Sequence, residues 1–393
     1  MAARTLSAAD FGAFGLAIAV YILVAGVCRS AFGEPLLTRH QQYSSPRRSG
    51  AAVTGGGLLV GFICAPLLLA CSLALRGTPG SALAALSVVL PLVLMQDALR
   101  YHAIAQAHQA RAVTIDALWI AFLAVFLAIY IGSSATITAP VLVLVWGAAG
   151  FGSYILPTLT TERFAPSPSG ALAWCRDHSD LSGRYAAEFL TAGGVSYVAL
   201  FALGATSGVV PVGSIRAVQS LLGPIAVLYA GSYLVLVPEG GRWLDRPRHF
   251  RFMMIYGSAG IALAAALWTT ALLLVPDHLG EAALGSSWAG ARRVLLPYGI
   301  SIVIAGLGAG AVAGMRARSA ARESLRARVI SLPLVLIAPI LGGVVGDEVG
   351  FSYGLIVGSL ATSVVYWHQL ARLTKQQSAA ADRADELPPA FTG

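Results

Sequence analysis

Seven residues within or at the ends of long apolar stretches could carry chemistry in this sequence. They are Arg29, Glu34, Asp97, Arg100, Asp116, Trp119 and Arg216. A charged side chain in such a stretch costs a few kcal/mol unless it is paired or hydrated. Arginine suits bidentate binding of phosphate, and carboxylates can orient arginines or carry a coupling proton or cation. These residues therefore favour a binding site for an anionic group in a hydrated cavity.

The spacing of the charged residues suggests which of them meet. Asp97 and Arg100 are three residues apart and share one face of a helix. Asp116 is expected to pair with Arg100 on the preceding antiparallel helix, and Arg29 is followed by Glu34 five residues on. The alternative interpretation is that these groups lie near helix ends, where long side chains reach the lipid headgroups. That alternative also applies to Glu188 and Arg216.

The composition is typical of a protein whose secondary-structure elements cross a lipid bilayer. Hydrophobic residues make up 57% of the chain and charged residues 11%, with a mean hydropathy of +0.74. Average globular proteins have about 25% charged residues. The net charge of +8 comes from basic residues in short loops, so we expect no nucleic-acid partner. Because a lone span must satisfy its own backbone hydrogen bonds, we predict an all-α polytopic membrane protein.

Eleven apolar stretches are long enough to be transmembrane helices. They cover residues 11–33, 52–75, 80–99, 112–132, 137–158, 185–206, 211–236, 252–275, 294–315, 327–346 and 350–370. Of the 26 Lys and Arg residues, twenty fall in one set of loops and the tail, and four fall on the opposite side. This asymmetry predicts a cytoplasmic C-terminus. An odd number of spans then places the N-terminus outside, so we expect that the first helix of a twelve-helix plan is missing from this sequence.

The spans divide into two groups. We predict an N-terminal lobe of five helices at 1–158, a cytoplasmic connection at 159–184, a C-terminal lobe of six helices at 185–372 and a disordered cytoplasmic tail at 373–393. A faint internal repeat supports two related lobes. LSAADFGAFGLA at 6–17 aligns with SGVVPVGSIRAV at 207–218, and this places Gly12 opposite Gly213. Repeated halves are a common plan for transporters.

Motifs for several other kinds of chemistry do not occur in the sequence. There is no GxxxxGK[ST] phosphate-binding loop, GxSxG or HExxH, and the four cysteines lack metal-binding spacing. We therefore predict no catalytic residues, no metal site and no cofactor. Large loops on the outer side, which membrane glycosyltransferases usually need, are also missing. This favours a transporter over an enzyme.

Several segments resemble the polysaccharide-export branch of the multidrug/oligosaccharidyl-lipid/polysaccharide (MOP) exporter superfamily, as found in actinobacteria. They include RTLSAADFGAFGLAIAVYIL at the start, CRSAFGEPLL, QDALRYHAIAQ, IDALW, RYAAEFLTAGG and SLRARVISLPLVLIAPILGG. The resemblance implies a fold like that of MATE transporters and lipid flippases, with two helical lobes around a central cavity. It implies the bacterial cytoplasmic membrane as the location. The implied substrate is an oligosaccharide on an undecaprenyl-pyrophosphate carrier, and glycan-assembly proteins are possible partners.

The chemistry of the residues and this resemblance together give a leading hypothesis and two alternatives. The leading hypothesis is a flippase for a lipid-linked oligosaccharide, with Arg29, Arg100 and Arg216 as candidates for binding the pyrophosphate. The first alternative is an ion-coupled antiporter of small molecules or drugs on the same scaffold. The second is a membrane component of a glycan-assembly machine that does not itself transport. Membrane lipids are partners in all three.

Overall fold

The computed structural model describes residues 6–39, 45–132, 137–159 and 165–385, all of them helical or in short connections. Its helices are α1 Ala8–Cys28, α2 Glu34–Arg39, α3 Pro46–Leu75, α4 Gly77–Ala105, α5 Gln109–Gly132, α6 Ala139–Pro157, α7 Pro168–Asp177, α8 Ser179–Phe189, α9 Val195–Ser207, α10 Val209–Leu221, α11 Gly223–Arg242, α12 Pro247–Leu273, α13 Asp277–Leu284, α14 Trp288–Ala317 and α15 Ala321–Asp385. Two π-helical turns, Arg29–Gly33 and Leu190–Gly194, join α1 to α2 and α8 to α9.

The helices are long and apolar enough to make the chain a multi-pass membrane protein. Within the described ranges, eight helical segments could each cross a bilayer. A ninth is possible if α10 and α11, which are bent by 58° relative to each other, form one span. The long helix α15 breaks at Gly346 and Asp347, so it contains both of the last two predicted spans. The expected all-α polytopic architecture is confirmed.

The chain forms two compact units. The first contains residues 1–197, 208–214 and 281–288, and the second contains residues 198–207, 215–280 and 289–393. In the first unit α4 is the central helix, since 83% of its apolar span is buried, compared with 11% for α3. Glycines on α3 allow its backbone to approach α4 closely. A Cβ at Gly57 would lie 2.6 Å from the Leu94 carbonyl oxygen, which is too close for any side chain.

The π-helical turn at the end of α1 has an identifiable cause in Pro35. Proline has no N–H, so the carbonyl of Ala31, four residues earlier, loses its usual helical donor. The turn widens, and the Glu34 N–H bonds back to the Arg29 carbonyl five residues earlier. The Ser182 hydroxyl of α8 donates to the Ala31 oxygen at 2.7 Å. This bond connects α8 to the widened turn. Arg29 is the first residue of that turn.

The start of α1 crosses the start of α10 at two glycines. A Cβ at Gly12 would overlap the Val209 carbonyl, and a Cβ at Gly213 would lie 3.1 Å from Gly12 Cα and 3.2 Å from the Ala8 oxygen. The sequence repeat aligns Gly12 with Gly213 and Ala8 with Val209. The contacts are therefore reciprocal, as expected for two segments related by a local two-fold axis.

The second unit has its own core around α12 and α14. Phe250, Met254 and Met315 are almost fully buried there and pack with residues of the last helix. The two limbs of α15 fold back on each other at Gly346 and Asp347, and this brings Gly342 against Gly350.

Two segments outside the predicted spans contain helix. The last helix continues to Asp385, whereas the sequence predicts a disordered tail from residue 373. Residues 373–385 contain four Ala, two Gln and two Asp and no Gly or Pro, and this composition is compatible with helix. Residues 386–393 lie outside the described part of the chain. Within the predicted connection at 159–184, the described residues from 165 onward form α7 and the start of α8.

Candidate functional site

Four of the predicted site residues form a chain of ion pairs in the first unit. Arg29, in the π-helical turn, binds Asp97 of α4 through two hydrogen bonds. Its Nε donates to Asp97 Oδ2 at 2.7 Å and its Nη2 donates to Oδ1 at 2.7 Å. This bidentate, side-on arrangement is the strongest geometry available to an arginine and a carboxylate. Asp97 is the carboxylate partner of Arg29, although the sequence had suggested Glu34 as a near neighbour.

Arg100 is shared between two carboxylates and bound tightly by neither. Its Nη1 donates to Asp116 Oδ2 of α5 at 3.2 Å, and this confirms the predicted pair. Its Nη2 lies 3.8 Å from Asp97 Oδ1, which is an ion pair without a hydrogen bond. Its Nε is buried and has no hydrogen-bond partner among the described residues. Arg100 therefore has an N–H donor, at Nε, that is available to a further acceptor. Arg29 differs, because its Nε already donates to Asp97.

The two aspartates differ in their exposure. The Asp97 side chain is 7% exposed and the Asp116 side chain is 43% exposed. The formal charges of the two arginines and two aspartates cancel, so the cluster can remain in an apolar environment without a bound ion. Because Asp116 is partly open, it is the member of the chain that an incoming group can replace with the least disruption.

Tyr101 is a member of the site that the sequence analysis missed. Its ring centre lies 5.7 Å from Arg29 Cζ and 5.8 Å from Arg100 Cζ, so both guanidinium groups are within reach of the cation–π attraction of one ring. A Cβ at Gly33 would lie 2.6 Å from the Tyr101 ring, so the glycine makes room for it. The spacing of Tyr101 four residues after Asp97 was a usable signal, because such residues are neighbours on a helix.

Gln96 adds a second polar group that sequence reasoning did not identify. The residue is 1% exposed and lies one turn before Arg100 on α4. Neither its Nε2 nor its Oε1 has a hydrogen-bond partner among the described residues. An unsatisfied buried amide costs about 1–3 kcal/mol, which is unusual in a helix core. The amide thus places further hydrogen-bonding capacity next to the ion pairs.

The remaining predicted site residues have different surroundings. Trp119 packs on α6, where its Nε1 donates to the Trp146 carbonyl at 2.9 Å, so it positions α5 and is not part of the ion-pair chain. Glu34 lies at the start of α2, close enough to Glu188 for their carboxylates to repel each other.

Arg216 belongs to the second unit, and its Nη1 donates to Gln219 at 2.9 Å. Gln219 in turn donates to the Tyr298 hydroxyl at 3.1 Å.

Metal coordination does not explain the cluster. Among the described residues, no group of three or more His, Cys, Asp or Glu side chains has an arrangement that could hold a metal ion. The carboxylates of the ion-pair chain are instead arranged around arginines, and this arrangement suits the exchange of one anionic partner for another.

Comparison with known proteins identifies the fold. No family profile matches the sequence, and no curated protein matches it. Among solved structures, the chain is similar to an inward-facing multidrug resistance MATE family transporter of the MOP superfamily, with a TM-score of 0.68, 13% identity, and coverage of 95% of this chain and 92% of that one. It is also similar to the lipid II flippase MurJ in an inward closed conformation. That match has a TM-score of 0.70, 10% identity, and coverage of 92% and 82%.

The chain has a MATE/MurJ-like fold. A MOP superfamily transporter from Pyrococcus furiosus is similar at a TM-score of 0.52, with 12% identity and coverage of 93% of this chain and 85% of that one. The predicted fold class is confirmed by these structures. At such low identity the likeness extends only to the path of the chain, and any function has to be argued from this chain's own residues.

Proposed function

We propose that this protein is a flippase in the bacterial cytoplasmic membrane, with its C-terminus in the cytoplasm. Its substrate would be an oligosaccharide linked to a polyprenyl diphosphate, moved across the membrane by alternating access and driven by an ion gradient or the membrane potential. The observation that carries the proposal is the chain of ion pairs joining Arg29, Asp97, Arg100 and Asp116 within a MATE/MurJ-like fold.

The two arginines have different roles in this proposal. Arg29 is fixed on Asp97 by two short hydrogen bonds and maintains the site. Among the described residues, the Arg100 Nε has no hydrogen-bond partner and the Arg100 Nη1 donates to the partly exposed Asp116. A diphosphate would replace Asp116 as the partner of Arg100. Because phosphate offers more acceptor oxygens than one carboxylate, this exchange favours the bound state. Tyr101 would hold the guanidinium group in place during the exchange.

Reconstituted protein tests this proposal. Proteoliposomes would contain a fluorescent oligosaccharide on a polyprenyl diphosphate, and a membrane-impermeant quencher would report the amount that has crossed. Arg100→Gln is expected to slow crossing at least about tenfold, which corresponds to about 1.4 kcal/mol of lost interaction. Arg48→Gln is the matched control, because Arg48 is an exposed arginine of the same unit.

The melting temperature separates loss of binding from loss of folding. Arg100→Gln is expected to melt close to the wild-type protein, because its ion pair with Asp116 is partly exposed. Wild-type crossing rates in Arg100→Gln would rule out the assigned role of Arg100. If the wild-type protein itself moves no lipid-linked sugar, the flippase proposal fails.

An ion-coupled antiporter of cationic small molecules is the second candidate function. The partly exposed Asp116 favours it, since a cation could replace Arg100 as the partner of that carboxylate. Export of a cationic dye that Asp116→Asn abolishes would support this candidate. Absence of both dye and lipid movement would instead favour a non-transporting component of a glycan-assembly machine.

A further inference from the structure

A second cluster of aromatic and cationic groups lies in the second unit, away from any residue assigned above. Tyr229 and Tyr233 are one turn apart on α11, with ring centres 5.4 Å apart at 81°. The Tyr233 hydroxyl donates to the Tyr229 hydroxyl at 3.0 Å. Arg316, in the last turn of α14, places its Cζ 5.1 Å from the centre of the Tyr233 ring. Tyr366 of α15 is 3% exposed and completes the cluster on the buried side.

The hydrogen bonds in this cluster leave donors unused. Two hydroxyl protons are available on Tyr229 and Tyr233, and the single bond between the rings uses one of them. Arg316 has five N–H donors, and within the described part of the chain no carboxylate pairs with it. Two arginines of this unit that do have carboxylate partners provide a comparison. Arg242 pairs with Glu239 and Arg293 pairs with Glu348.

We propose that Tyr229, Tyr233 and Arg316 form a binding site for a phosphate group. The guanidinium group would supply charge and paired donors, and the free hydroxyl proton would supply a further donor. The face of Tyr233 holds the guanidinium group in position at little entropic cost. The phosphate comes from an anionic lipid headgroup or from a free diphosphate, and both sources present the same oxygens. The site does not depend on the proposed flippase activity.

Native mass spectrometry of the purified full-length protein tests the site. Titration with phosphatidylglycerol and, separately, with inorganic pyrophosphate would give the apparent affinity for each phosphate source. Arg316→Gln and Tyr229→Phe are each expected to weaken binding of at least one source by roughly tenfold or more. Tyr229→Phe keeps the ring and removes only the hydroxyl group, so it tests the site even if Arg316→Gln folds poorly.

Arg242→Gln is the control, because it removes the same charge from the same unit but from an arginine that already has a carboxylate partner. Loss of phosphatidylglycerol alone would identify a lipid headgroup, and loss of pyrophosphate alone would identify a free phosphate. Equal weakening by Arg242→Gln and Arg316→Gln would mean that only diffuse positive charge attracts the anion, and the proposal would be overturned. It would also be overturned if neither source binds the wild-type protein.

Discussion

Asp97 is the residue on which the ion-pair chain depends. It accepts two hydrogen bonds from Arg29 and lies 3.8 Å from Arg100, and its side chain is nearly buried. Asp116 is more exposed, and among the four residues of the ion-pair chain it contacts only Arg100. A buried ion pair is weak evidence for net stability, but the removal of one partner leaves an uncompensated charge. The two aspartates should therefore respond very differently to the same substitution.

We predict that Asp97→Asn destabilises the protein by about 3 kcal/mol or more, since Arg29 would keep its charge without a carboxylate. Asp116→Asn should cost less than about 1 kcal/mol, as is usual for partly exposed ion pairs. Thermal melting of both variants in the same detergent would measure the difference. Similar melting temperatures for the two variants would contradict the assignment of Asp97 as the buried anchor.

At this scale the sequence predicted some partners and missed others. The pair of Arg100 and Asp116 follows from adjacent antiparallel helices, and the proximity of Asp97 and Arg100 follows from helical spacing. The partner of Arg29 could not be predicted, because it depends on how α1 packs against α4, 68 residues further along the chain. Tyr101 was missed because only charged residues and Trp119 were considered as site residues, and its position four residues after Asp97 was not used.

At the scale of elements, the junction of α1 and α2 shows how one proline determines the position of a charged side chain. Pro35 removes the donor for the Ala31 carbonyl, the helix widens into a π-helical turn, and Ser182 supplies the missing hydrogen bond. Arg29 begins this widened turn. The sequence indicated a structured site through Glu34 and Pro35, but the contribution of Ser182 depends on tertiary contact between α8 and the turn.

We predict that Ser182→Ala costs about 1–3 kcal/mol, because it removes the hydroxyl donor from the partly buried Ala31 carbonyl. The cost should shrink to a few tenths of a kcal/mol in a Pro35→Ala background, where residue 35 regains an N–H that can bond to Ala31. Melting temperatures of the two single variants and the double variant would give this coupling. An equal effect of Ser182→Ala in both backgrounds would show that Pro35 is not the reason for the Ser182 contact.

At the scale of the whole molecule, charge asymmetry and apolar length predicted the membrane character and the helical architecture. Apolar patterning placed a predicted span on each of the long helices, because lipid leaves the backbone no alternative to internal hydrogen bonds. It treated α10 and α11 as one span, although the two helices are bent by 58° relative to each other. The division into compact units was harder to predict. Residues 281–288 belong to the first unit although they are distant in sequence from its main segment, residues 1–197. Such long-range membership is set by packing, which local patterns do not encode.

The twenty-to-four distribution of basic residues also makes a prediction about orientation. The sequence contains a single lysine, Lys375, in the segment expected to lie in the cytoplasm. A membrane-impermeant amine reagent should therefore label Lys375 in inside-out vesicles and leave it unlabelled in right-side-out vesicles. Lys375→Arg provides the background from the N-terminal amine. Labelling of Lys375 from the outer face would reverse the orientation assigned from the loops.

The crossing of α1 and α10 makes Gly12 and Gly213 a single steric unit. Each occupies the place where a side chain on the other would have to go, since a Cβ at Gly213 would lie 3.1 Å from Gly12 Cα. Alanine at either position would separate the two helices, and a second alanine would then enter space already opened by the first. The energetic costs of the two substitutions are thus not additive. We therefore expect variation at one position to depend on the residue at the other, even though the two residues are half the chain apart.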